Sequence, residues 1–311
     1  MKLLEKSMKS KFIHPVFVVY KLLVFVFIFL VSSPAATQPA ELKSLWDIKK
    51  GNEKSDVRKA DYLNITEEEL FEYFDALPSF GMFHDNYFIT GMPTNKVVND
   101  NTADAKFQIS ISQRLTKSIL PFNSTLLLTY SQKSFWDIYK DSSPFAENNY
   151  NPGLTLVRPI LRNNQLRGVG VIAFEHESNG LDSISSRSWN YFVVSGVYFY
   201  NANISVQGKL WAGWLGDENK DLLKYRGHGL LALNYRGSND RFWASAIINP
   251  TEKFKSINTT IELNYRPSNK ANQYLFLQWY NGYGESLIDY NQYTSMVRVG
   301  ICIKPSMRNF Y

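Results

Sequence analysis

The sequence predicts an all-β protein, a twelve-stranded antiparallel β-barrel that crosses a membrane. Three observations predict it. Beyond about residue 85 the chain breaks into runs of roughly ten residues in which apolar and polar side chains alternate. The N-terminus has the order of a secretory signal. Aromatic residues (Tyr198, Tyr200, Trp211, Trp214, Trp279, Tyr280, Tyr283) crowd the ends of the runs, as in the girdles of outer-membrane barrels.

Residues 1–11 are cationic, Phe12 to Val31 is mostly Val, Leu, Phe and Ile, and Ser32-Ser33-Pro34-Ala35-Ala36 supplies small residues. This reads as a cleaved signal peptide over residues 1–35. Residues 36–85 are polar and mixed, with one helix-like stretch from Thr66 to Phe74, and are expected to be a periplasmic segment. The barrel is expected over residues 86–311, and the chain stops on Phe310-Tyr311 soon after a strand. Candidate strands fall near 86–92, 105–115, 124–138, 152–162, 165–178, 187–200, 202–214, 223–236, 240–249, 257–266, 271–282 and 292–303. Their even number lets both ends of a barrel lie on the periplasmic side.

The alternation is regular. Phe107, Ile109 and Ile111 alternate with Gln108, Ser110 and Ser112. Ile204, Val206 and Leu210 alternate with Ser205, Gln207 and Lys209. Ile257, Ile261, Leu263 and Tyr265 alternate with Asn258, Thr260, Glu262 and Asn264. Such a pattern puts apolar side chains on one face of a strand and polar ones on the other. A secreted soluble β protein shares that alternation and stays open at this point.

Composition excludes several classes. The single Cys302, on the inner parity of its strand, rules out a disulfide framework, a Cys-cluster metal site and a lipobox. A polytopic helical membrane protein is excluded, since one run alone approaches a spanning length. The net charge is +6, but residues 1–35 hold Lys2, Lys6, Lys9, Lys11 and Lys21 against Glu5. About +2 remains for the rest, so a basic footprint for nucleic acid is unsupported.

One strand pair breaks the pattern. From Leu166 to Ser178 the even positions are Leu166, Gly168, Gly170, Ile172, Phe174, His176 and Ser178, while the odd ones include Arg167, Glu175 and Glu177. His176 and Ser178 therefore share the apolar, lipid-facing side, where same-face neighbours two apart bring an imidazole near a hydroxyl. Polar groups in that place are costly unless they work or lie at headgroup level. Asn190 opens the next strand, and antiparallel pairing can set it beside His176. Ser178, His176 and Asn190 then have the nucleophile, base and orienting roles of an acyl-transfer triad. Gln132 shares parity with Leu126, Leu128 and Tyr130, so it too projects into lipid and seeks a partner, which a second copy of the same face supplies. His84 and His228 are read as structural, with His228 pointing into the barrel beside Arg226.

The stretch Phe174-Glu175-His176-Glu177-Ser178-Asn179-Gly180, followed by Ser186-Arg187-Ser188-Trp189-Asn190, closely resembles the signature of bacterial outer membrane phospholipase A. Three further segments agree: Tyr130-Ser131-Gln132-Lys133-Ser134-Phe135-Trp136, then Ser142-Ser143-Pro144-Phe145 with Asn149-Tyr150, then Gly282-Tyr283-Gly284-Glu285-Ser286-Leu287-Ile288-Asp289-Tyr290-Asn291. The resemblance runs from about Asn86 to the last strand, and residues 36–80 match poorly.

The resemblance implies a barrel in the outer membrane of a Gram-negative bacterium, with its active site on the outer wall. It implies a calcium-dependent serine hydrolase, a phospholipase of A1/A2 type acting on phospholipids and lysophospholipids. By position, Ser178 is the nucleophile, His176 the general base, Asn190 the orienting group and the Gly180 N–H the oxyanion donor. An Asn in place of the usual Asp does not neutralise an imidazolium, but it fixes the tautomer. Ca²⁺ is implied where two barrels of a homodimer meet, on the Ser186 hydroxyl and Leu181 carbonyl of one subunit and Ser142 of the other, with Gln132 in the dimer interface. Three departures stand out: Leu181 where the family often has Arg, Phe174 for a common Tyr, and Tyr191 for an Arg after the motif Asn. The competing reading is a catalytically silent barrel, a small pore or structural protein. A soluble secreted esterase is a third.

Overall fold

The computed structural model describes residues 67–163, 165–237, 241–268 and 271–305. The expected signal peptide, residues 36–66 and the terminal Phe310-Tyr311 lie outside the described residues. Thirteen strands and two α-helices are described: α1 (Glu67–Ala76), β1 (Phe80–Met82), β2 (Asn86–Pro93), β3 (Asp104–Arg114), β4 (Thr125–Trp136), β5 (Phe145–Arg162), β6 (Gln165–Ser178), β7 (Ser188–Phe199), β8 (Ile204–Leu215), α2 (Leu222–Arg226), β9 (Gly229–Arg236), β10 (Phe242–Pro250), β11 (Ile257–Tyr265), β12 (Gln273–Gly282) and β13 (Thr294–Ile303). Strands β2 to β13 pair antiparallel in chain order, and β13 returns to β2 from Met296↔Pro93 to Ile303↔Asn86. The twelve strands thus form a closed barrel with no free edge. The short β1 pairs with β3 beyond the end of β2, so β1 and β2 share one lane broken at Phe83–Asp85.

Burial follows the predicted alternation. On β6, Ile172 is 56% exposed, whereas Glu175 and Glu177 on the other face are buried. Ile257, Leu263 and Tyr265 of β11 are exposed, while Asn258, Glu262 and Asn264 are buried. An apolar wall around a polar interior is what hydrocarbon outside and hydrogen-bonding partners inside demand. Cys302 is buried with Tyr87, Ile89, Trp243, Tyr274 and Phe276, as its parity predicts.

The interior charges are paired across the lumen. The Arg298 guanidinium donates to both Asp104 carboxylate oxygens, at 2.7 and 2.6 Å, and to Glu285 at 2.6 Å. Lys106 donates to Glu285 at 2.9 Å and to Gln278 at 2.7 Å, and Gln278 donates onward to Glu262 at 2.8 Å. Buried charges persist only with such partners. This chain of side chains links β3, β11, β12, β13 and the β12–β13 loop.

Four expectations change. Trp211, Tyr280 and Tyr283 line the luminal cavity rather than a girdle, whereas Tyr198, Tyr200 and Trp214 are exposed on the wall. Neighbours such as Trp279 and Tyr280 must face opposite sides, which a count of aromatics near run ends does not separate. β5 begins at Phe145 rather than 152, because Asn148 to Asn151 pair with Ser131 to Ser134 of β4. β9 begins at Gly229 because residues 222–226 are helical. His228 therefore lies in the link before β9, exposed and away from the luminal cavity.

The helix expected from Thr66 to Phe74 is α1, which buries Leu70 and Phe71. Arg114 at the end of β3 caps it, donating to the carbonyls of Phe74, Asp75 (2.9 Å) and Leu77 (2.7 Å). Unsatisfied C-terminal carbonyls of a helix favour a cation in this position. The capping places α1 on the rim that carries the short link 200–203 between β7 and β8.

Candidate active site

β6 and β7 are in register with His176 opposite Asn190 and Ser178 opposite Ser188. The outward face of this pair carries Phe174 against Phe192, ring centroids 5.2 Å apart, and then the polar residues. The His176 Nδ1 lies 2.9 Å from the Asn190 Oδ1. Since an amide oxygen only accepts, this contact calls for the proton on Nδ1, which in the neutral ring leaves the lone pair on Nε2. That is the tautomer a general base needs. Gly213 of β8 passes so close that a Cβ there would lie 2.0 Å from the Asn190 carbonyl oxygen, so only glycine lets β8 pack beside this residue.

Ser178 ends β6 on the same face as His176. Its Oγ accepts from the Gly180 N–H at 3.1 Å, and among the described residues no hydrogen bond joins it to the imidazole. Gly180 has φ +69, and a Cβ there would meet the Tyr150 ring at 2.9 Å. Glycine is required on both counts. Asn179, which sequence reading did not single out, organises the loop that follows. Its Oδ1 accepts from Arg187 N at 2.9 Å and Leu181 N at 3.3 Å, and its amide donates to the Ser185 carbonyl at 2.9 Å. The Ser-Asn-Gly run was the available signal, since Asn side chains fold back on nearby backbone in turns.

The inner face supports the site. Tyr191 stacks on Trp189 with centroids 3.7 Å apart, and the Trp189 indole donates to Glu177 at 2.9 Å. Arg226 from α2 grips Glu177 with two bonds, at 2.6 and 3.1 Å. Against this layer the β12–β13 loop, residues 283–293, inserts Leu287 and Tyr290, both buried with Ala173, Trp189, Tyr191 and Leu222. Backbone N–H groups of the loop are held by β5: Leu287 donates to Asn149 at 3.2 Å and Ile288 to Glu147 at 2.8 Å. The Tyr290 hydroxyl donates to Asp221, and burial together with that bond pushes its pKa up to about 12, so it stays a donor. Leu287→Ala is expected to leave a cavity here and lower barrel stability by about 2–5 kcal/mol. Denaturant unfolding in lipid vesicles measures it, and an unchanged midpoint would show that the loop carries no packing energy.

The matched calcium positions lie on two loops of one rim. Ser142 (φ 63) sits in residues 137–144 and Leu181 and Ser186 in residues 179–187. Among the described residues the Ser142 and Ser186 hydroxyls make no hydrogen bond, and no group of three or more His, Cys, Asp or Glu could hold a metal. Unclaimed hydroxyl and carbonyl oxygens fit a hard cation such as Ca²⁺. Gln132, outward on β4, is satisfied within its own chain. Tyr130 donates to its Oε1 at 3.0 Å, and its amide donates to the Ser134 hydroxyl at 3.1 Å, which donates to Asn148 at 2.6 Å. The need for a partner inferred from sequence is thus met largely in cis, and a polar stripe remains on the lipid-facing wall.

Fold and site together define an outer-membrane β-barrel that carries a hydrolase-like constellation on its outer wall. Residues 75–303 match the family Phospholipase A1. The chain belongs to the phospholipase A1 family. Phospholipase A1 of Salmonella typhimurium is 33% identical over 247 residues, covering 71% of this chain and 83% of the relative. That of Escherichia coli strain K12 is 35% identical over 211 residues, covering 66% and 71%. Among solved structures, the Salmonella typhi outer membrane phospholipase dimer with bound calcium superposes with a TM-score of 0.64 at 29% identity, covering 73% of this chain and 92% of that one. Outer membrane phospholipase A from Escherichia coli, as an active-site mutant with asparagine replaced by alanine, gives 0.65 at 28% identity, covering 74% and 93%.

Proposed function

We propose that this protein is a calcium-dependent phospholipase that hydrolyses acyl esters of phospholipids and lysophospholipids from the lipid side of its barrel. The 2.9 Å His176–Asn190 bond on the hydrocarbon-facing wall, two residues along β6 from Ser178, carries the reading. Ser178 Oγ attacks the ester carbonyl carbon while His176 Nε2 takes its proton. The tetrahedral intermediate collapses, the lysophospholipid oxygen leaves with that proton, and an acyl-serine remains. Water deprotonated by His176 then attacks the acyl carbon, releasing fatty acid and restoring Ser178. The Gly180 N–H stands beside Oγ, where an oxyanion attached through that atom develops. Ser186, Leu181 and, from a second subunit, Ser142 would hold calcium, and the bound ion would supply polarisation of the ester carbonyl.

Control is needed because the substrate is the solvent on that side of the wall. At any one site a single subunit brings two of the three proposed calcium donors, so homodimerisation through the face around Gln132 completes the site. The calcium-bound dimer of the Salmonella typhi relative supports this. Residues 1–35 are read as the export signal and 36–85 as a periplasmic segment that includes α1.

Asn190→Ala tests the reading. It removes the acceptor that fixes the imidazole, and kcat for fatty-acid release from phospholipid micelles with calcium is expected to fall about ten- to a hundredfold. Wild-type turnover in that variant would remove Asn190 from the mechanism.

A further inference from the structure

Pro152 interrupts β5 beside the catalytic strand. The β5–β6 pairing runs through Tyr150↔Ser178 and Gly153↔Glu175, which puts Pro152 opposite His176. Proline has no N–H, so the ladder bond that would hold the His176 carbonyl is missing. A buried carbonyl left open in this way must find another donor.

The donor is a side chain. Asn151 turns its amide back to the His176 carbonyl, with Nδ2–O 2.9 Å. The same amide nitrogen donates to the Tyr191 hydroxyl at 3.1 Å, and that hydroxyl donates to the Glu175 carboxylate at 2.6 Å. Tyr191 is buried, stacked on Trp189, and adjacent in sequence to Asn190. One phenol thus ties the backbone of the residue carrying the imidazole to the strand carrying its orienting amide. Lys209 approaches Glu175 to 3.8 Å and supplies the positive charge that an uncharged Tyr191 does not.

We infer that Asn151 and Tyr191 are positioning residues for acyl transfer, acting through the His176 carbonyl in place of the hydrogen bond that Pro152 removes. Neither touches substrate. They act from inside the barrel on a site that works outside it, and the inference rests on His176 being the general base.

The test compares Tyr191→Phe, Asn151→Ala and the double variant as folded, detergent-solubilised protein. Tyr191→Phe keeps the ring and its stacking and removes one hydroxyl. It is expected to lower kcat about fivefold to tenfold at saturating calcium, with KM for phospholipid unchanged. Asn151→Ala is expected to match it, and the double variant to be no worse than Asn151→Ala, because both losses pass through one carbonyl. Tyr280→Phe, the same change on β12, is the control and is expected to keep wild-type kcat. A second readout does not depend on turnover: in protein labelled with ¹³C at histidine carbonyls, the His176 resonance is expected to move in Tyr191→Phe and Asn151→Ala and to stay in Tyr280→Phe. An unmoved resonance in Asn151→Ala overturns the inference whether or not the wild type hydrolyses lipid. Additive losses, or equal losses in Tyr280→Phe, reduce the two residues to general packing. An inactive wild type whose resonance still moves would sink the phospholipase reading and leave the clamp standing.

Discussion

Ser178→Ala is expected to reduce calcium-stimulated fatty-acid release by about 10³- to 10⁶-fold, the range seen when an acyl-transfer nucleophile is removed. The size follows from the chemistry, since the acyl-serine cannot form without Oγ and the remaining groups offer only binding and carbonyl polarisation. Folding should not suffer. Ser178 ends β6 on the outward face, and among the described residues its hydroxyl takes part in one hydrogen bond, accepted from the Gly180 N–H. The heat-modifiable shift in gel mobility that marks a closed barrel is therefore expected to match wild type. The assay is release of free fatty acid from mixed micelles by purified, detergent-folded protein. Retained release with an unchanged gel shift would take Ser178 out of the mechanism and reinstate the silent-barrel alternative.

Chelation has the next largest expected effect. Removing calcium is expected to lower turnover by about 10²- to 10³-fold, comparable to losing an oxyanion-stabilising group. Calcium should restore it and magnesium should not, because the smaller ion demands a tight octahedron that loop hydroxyls and a carbonyl do not supply. The loss is expected to be coupled to assembly. Gln132→Leu converts a polar stripe on the wall to hydrocarbon, so crosslinked dimer and turnover should fall together while calcium stays saturating. A monomer that hydrolyses lipid as fast as the dimer, or full turnover in chelator, would defeat the control scheme while leaving the Ser178 prediction intact.

How much was legible in the residues differs between wall and interior. Strand parity predicted that Ile172, Phe174, His176 and Ser178 share one face and that Glu175 and Glu177 oppose them, because a period of two leaves no other arrangement. The register that sets His176 against Asn190 was legible only as a possibility. Antiparallel pairing allows several offsets, and the loop of residues 179–187, tied by Asn179, selects one. Leu181, Ser142 and Ser186 rest on resemblance, since serines and a carbonyl in loops carry no spacing signal.

The two faces of each strand, and the place of the imidazole and hydroxyl together on the apolar one, were determined by sequence through alternation, while the barrel itself needed the export signal, the aromatic run ends and the family resemblance besides. Tertiary structure decided the rest. It chose which aromatics turn inward, brought Leu287 and Tyr290 from a distant loop beneath Trp189, and assigned the carbonyl opposite Pro152 to Asn151. These contacts join residues far apart in the chain, and their energies depend on burial and closure of the cylinder. Periodicity along one strand records which side a residue faces, but not which partner waits there.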